Sequence, residues 1–160
     1  MKILGIDPGT GIIGFGCIEI GKKSPIMLDA GVIRTTIGDD TASRLVELYD
    51  AMTELLADLK PDVASVEKLF FAQNVTTGMA VSQARGVILL ALQQAGVQIF
   101  EYTPLQIKMA ITGYGKAKKA DVQEMVRIQL GLTEVPKPDD CADAIAAALT
   151  HASSVVYSKR

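Results

Sequence analysis

Within the first 35 residues lie three runs of strand-forming residues, joined by links too short for a crossover. The runs are "KILGID" (2–7), "IIGFGCIEI" (12–20) and "IMLDAGVIRT" (26–35). Their links, Gly9–Gly11 and Gly21–Pro25, leave room only for a reversal, so the spacing predicts an antiparallel meander. The period then changes. In "TASRLVELYDAMTELLADLK" the residues Leu45, Leu48, Met52, Leu55, Leu56 and Leu59 recur at helical intervals. Thr41 or Ser43 is the candidate cap, and Lys60-Pro61 ends the helix.

"DVASVE" (62–67) reads as a fourth strand, and a second helix runs roughly from Asn74 to Ala95. "VQIFEY" (97–102) is a fifth strand, followed by helices at about 104–112, 119–130 and 138–152. The order βββαβαβ followed by helices predicts an α/β fold. Its five-stranded mixed sheet has three meander strands, then parallel strands, with helices on both faces. Without repeats or linkers, residues 1–160 read as one domain, with about 153–160 as a loose tail.

Apolar residues make up 49% of the chain and charged residues 21%, which argues against disorder. No apolar run reaches the roughly 18 residues of a membrane span. "MKILGID" starts a strand directly and has no signal-peptide pattern. Cys17 and Cys141 show no framework spacing and read as reduced thiols of a cytoplasmic protein. A net charge of −2 argues against broad, nonspecific binding to nucleic acid. Net charge averages over patches, however, and two divalent cations in an acidic site would make the loaded chain positive.

The acids at element ends carry the chemistry. Asp7 closes the first strand, and Glu67 closes the fourth, in "ASVEKLFF". Ligand sites of open α/β sheets gather outside the carboxyl ends of parallel strands. A strand-end Glu before Lys68 is otherwise an ordinary solvated charge. In "PDDCADAIAAALTHA", Asp140 and Asp143 share a helix face, and Asp139 lies four residues before Asp143. One aspartate is explained as a helix cap. Asp143, inside a helix of alanine, isoleucine and leucine, needs a partner or a cation. Oxygen ligands from separated segments, without a histidine or cysteine cluster, suit Mg²⁺ or Mn²⁺ rather than zinc. The only histidine, His151, reads as a dipole partner in the last turn of its helix. Paired Mg²⁺ ions held by carboxylates serve phosphodiester hydrolysis.

"ILGIDPGTGIIGFG", "SVEKLFFAQN", "QARG", "GYGKAKKADVQEMV" and "DDCADAIAAALTH" occur in this order. On these segments, from Met1 to about His151, the chain closely resembles the bacterial RuvC Holliday-junction resolvases of the ribonuclease H-like superfamily. The resemblance implies a crossover junction endodeoxyribonuclease that cuts four-way DNA junctions with paired nicks. It implies two Mg²⁺ ions per active site, with Mn²⁺ as a substitute, a homodimer, and the RuvA–RuvB branch-migration complex as partner. Carried over by motif, Asp7, Glu67, Asp140 and Asp143 are the metal-binding catalytic residues, with Asp139 as the alternative to Asp140.

The segment 103–127 carries Lys108, Lys116, Lys118, Lys119 and Arg127 against Asp121 and Glu124. Beside an acidic metal site, its loop "GYGKAKK" is a phosphate clamp. By resemblance, Lys108 and Lys119 contact DNA near the scissile phosphate, and Phe70 stacks on an unpaired base. Three rival readings stand beside this one. They are a nuclease of the same fold acting on structured RNA, an actin-like ATP-binding protein, and a non-catalytic junction binder. The "DPGT" loop fits the actin-like reading, but that fold needs two lobes to close on its nucleotide.

Overall fold

The computed structural model of the chain describes residues 1–9, 11–21, 24–69 and 75–158. Its strands are β1 (Lys2–Asp7), β2 (Ile12–Glu19), β3 (Ile26–Arg34), β4 (Val63–Glu67) and β5 (Gln98–Tyr102). Its helices are α1 (Thr41–Leu59), α2 (Val75–Gln94), α3 (Pro104–Thr112), α4 (Lys119–Leu130) and α5 (Asp139–Ser158). The five strands form one mixed sheet in the order β3-β2-β1-β4-β5. The β1–β2 and β2–β3 pairs are antiparallel, as the short links require, and β1–β4 and β4–β5 are parallel.

The two faces of the sheet bury different cores. Leu4, Ile6, Ala64 and Val66 pack with α1 and α2, through Leu48, Met52, Ile88 and Leu92. Ile3 and Val63 pack on the opposite face with Ile145, Ala148 and Leu149 of α5 and with α3 and α4. Strand alternation puts Asp7 and Glu67 on this second face, in step with Ile3 and Val63.

Two glycines decide how closely α5 approaches. A Cβ at Gly5 would stand 1.9 Å from the Ala144 carbonyl oxygen, and one at Gly14 only 2.1 Å from that of Asp140. Any side chain there would push the helix off the sheet. The alanines Ala142, Ala144, Ala146, Ala147 and Ala148 are all fully buried and complete the close fit. Ser65 adds a tie, its Oγ donating to the Ala147 carbonyl at 2.6 Å.

The structure corrects the sequence reading at three points. Asp40 caps α1, not Thr41 or Ser43: its carboxylate accepts from the Ala42 and Ser43 amides at 2.9 and 3.1 Å. Ser43 turns its own hydroxyl to Asp40, at 2.6 Å. The helix expected to end near 152 continues to Ser158, through the start of the expected loose tail. Ser153 and Ser154 return their hydroxyls to the Leu149 and His151 carbonyls, which satisfies them within the helix. His151 therefore lies inside α5 rather than in its last turn. It is 3% exposed, its ring is stacked 4.1 Å from that of Phe100, and its Nδ1 is 2.8 Å from the Tyr102 hydroxyl. Burial holds its pKa below the ordinary value.

Candidate active site

β1 and β4 pair in parallel with Ile6 opposite Val66, so the next step of the register sets Asp7 beside Glu67. Both side chains project toward the first turns of α5, which bring Asp140 and Asp143. All four carboxylates are partly covered. No three His, Cys, Asp or Glu side chains among the described residues converge as a ready-made metal cage.

Crowding of negative charge sets the protonation of the site. Burial, then the charges of Asp143 and Asp140, push Asp7 up to about 6. Burial, then the Asp7 and Asp143 charges, push Glu67 up to about 8. Glu67 is thus largely protonated at neutral pH and donates a hydrogen bond to Asp7, which opposes the rise at Asp7. Burial also raises Asp143, against the lowering effect of Lys119.

Lys119, the first residue of α4, is the cation that reaches this acid group. Its Nζ is 2.8 Å from Asp143 Oδ2 and 3.6 Å from Asp139 Oδ2. The hydrogen bond to Asp143 raises the lysine pKa and keeps it charged. Local chemistry fixes this end of α4, since the Asp121 carboxylate accepts from the Lys118 amide at 2.7 Å. A cleft of about 230 Å³ opens beside the acids, bounded by Glu67, Asp143, Lys108 and Lys119 and floored by Ile107 and Val122.

The structure therefore gathers Asp7, Glu67, Asp140, Asp143, Lys108 and Lys119 around one site. Lys116 and Lys118 are exposed on the loop before α4 and do not line the cleft. Phe70 falls outside the described residues. Asp139 diverges from Asp140: its side chain is 64% exposed and faces Lys119. Sequence reasoning missed this pairing, although the i, i+4 spacing of Asp139 and Asp143 was its signal. It also missed the partner of the "QARG" arginine, since Arg85 on α2 forms an ion pair with Glu101 on β5.

The donors are all oxygens, and burial with crowded like charge raises two of the acids toward or past neutrality. That set fits hard divalent cations. Filling the site would require Lys119 to release Asp143 and Glu67 to give up its proton.

Comparison with known proteins agrees with this geometry. The family model described as "Crossover junction endodeoxyribonuclease RuvC" matches residues 3–151. A crossover junction endodeoxyribonuclease RuvC of Brevibacillus brevis is 52% identical over 152 residues, covering 95% of this chain and 92% of the relative. One from Moorella thermoacetica is 48% identical across 100% of this chain and 96% of its own. Among solved structures, Thermus thermophilus RuvC in complex with Holliday junction substrate superposes with a TM-score of 0.92 at 35% identity. That match covers 99% of this chain and 96% of that one. The fold is accordingly ribonuclease H-like. The chain belongs to the RuvC family of Holliday-junction resolvases, crossover junction endodeoxyribonucleases that hydrolyse DNA.

Proposed function

We propose that this chain resolves four-way DNA junctions by paired, symmetric nicks at a site that takes two Mg²⁺ ions, with Mn²⁺ as a substitute. The observation that carries this reading is the group of partly covered acids beside a lysine-bordered cleft: Lys119 lies on Asp143, and burial with like charge holds Glu67 up to about 8. Asp7, Glu67, Asp140 and Asp143 would hold the cations. Asp140 is favoured over Asp139 because its charge acts on Asp7, whereas Asp139 faces Lys119. Bound cations supply Lewis acidity at the scissile phosphate. Lys108 and Lys119 orient that phosphate from the cleft wall, and the apolar floor limits the water around it. Lys116 and Lys118 add contacts to the backbone farther out, and Phe70 stacks on an unpaired base.

A junction needs two cuts, and a twofold dimer presents two such sites. Met79 and Leu90 of α2 are 62% and 50% exposed, with Gly86 open between them, which supports a homodimer through this helix. We place the protein in the cytoplasm, with the RuvA–RuvB branch-migration complex as partner. No helix among the described residues is long and apolar enough to cross a membrane.

The test sets a four-way junction, a linear duplex and a structured RNA side by side with Mg²⁺. Paired nicks confined to junction strands of like polarity are expected. Equal cutting of duplex or RNA would overturn the reading.

A further inference from the structure

Tyr114 stands in the basic loop, 59% exposed, and its hydroxyl makes no hydrogen bond among the described residues. The backbone beneath it is fixed. Gly113 ends α3 in the left-handed conformation, φ +73°. The Tyr114 amide donates to Thr112 Oγ1 at 3.1 Å, and the Ala117 amide donates to the Tyr114 carbonyl at 3.1 Å. Thr112 Oγ1 is itself anchored on the Lys108 carbonyl at 2.7 Å, and Ala117 is buried. Gly115 lies against α3, where a Cβ would come 2.7 Å from Leu105 Cδ1. Leu105 and Met109, 60% and 48% exposed, continue the apolar surface along α3. Lys116, Lys118 and Lys119 follow in sequence; Asp121 is engaged at the Lys118 amide, and Lys119 is paired with Asp143 and Asp139.

An exposed aromatic face on a hydrogen-bonded backbone among lysines matches the chemistry of a nucleic-acid strand, with bases for the ring and phosphates for the cations. We propose that Tyr114 is a DNA-contact residue, stacking its ring on a base of the junction strand held by the Lys116–Lys119 segment. This inference rests on the junction reading above.

The test is metal-free equilibrium binding to a four-way junction carrying 2-aminopurine near the crossover, for wild type, Tyr114→Ala and Tyr114→Phe. Tyr114→Ala should weaken binding roughly five- to a hundredfold, the range for one lost base stack. It should also relieve 2-aminopurine quenching and leave both the unfolding midpoint and the salt dependence unchanged. Tyr114→Phe should bind as wild type does, because the ring and not the hydroxyl makes the contact. Unchanged binding by Tyr114→Ala, equal loss in Tyr114→Phe, or loss accompanied by a lowered midpoint would each overturn the inference. Failure of wild type to prefer the junction over duplex would instead overturn the functional reading itself.

Discussion

Lys119 Nζ lies 2.8 Å from Asp143 Oδ2, so the first residue of α4 is fastened to the fifth residue of α5. The contact partly offsets a charge that burial disfavours. The same lysine borders the cleft beside Glu67, Lys108 and Asp143. Lys119→Ala should therefore act twice. Cleavage should fall roughly a hundredfold, the usual scale for one lost charge-stabilising donor at a reacting centre. The slope of log binding against log salt should shrink by about 1. Salt titrations of junction binding, beside single-turnover cleavage, check both effects.

Asp7 and Glu67 make the metal-free fold sensitive to pH in a stated direction. Each has a folded pKa above its unfolded value, so each contributes stability that is full below about 4 and lost as pH rises. Asp7 loses its share through about 6 and Glu67 through about 8. The metal-free protein should thus have a lower unfolding midpoint at pH 8.5 than at pH 5.5. Glu67→Gln should flatten that difference. Calorimetry in chelator at the two pH values tests the sign.

Divalent cations should reverse that loss. Mg²⁺ or Mn²⁺ should raise the midpoint more at pH 8.5 than at pH 5.5, because protons compete for the same oxygens at low pH. The increment should vanish in Asp7→Asn. A cation effect independent of both pH and Asp7 would place the binding elsewhere.

Asp139 and Asp140 should separate by function. Asp140→Asn should abolish cleavage, and Asp139→Asn should retain most of it, because Asp139 lies mostly exposed against Lys119. Comparing the two variants on one junction substrate decides between them.

Much of this was legible in the chain. The short links of the meander, the helical spacing after Thr41 and the acids at the ends of β1 and β4 follow from local periodicity, and the sheet assembled accordingly. The function of the glycines in "GIDPGTGIIGFG" was not legible. Gly5 and Gly14 lie in strands, as their runs predict, but they also make room for α5, a contact across some 130 residues of sequence. The same distance hid the destiny of His151, whose stacking partner Phe100 belongs to another element. Spacing favoured Asp140 over Asp139, but that Asp139 lies against Lys119 was not legible.

The most direct measurement is cleavage of a mobile four-way junction with Mg²⁺ by wild type and by Asp7→Asn. Asp7 lies where β1, β4 and α5 meet and carries the site's shared hydrogen bond with Glu67. Wild type should make paired nicks in strands of like polarity, and the variant none despite intact junction binding. Undiminished nicking by Asp7→Asn, or no paired nicking by wild type, would contradict the proposed function.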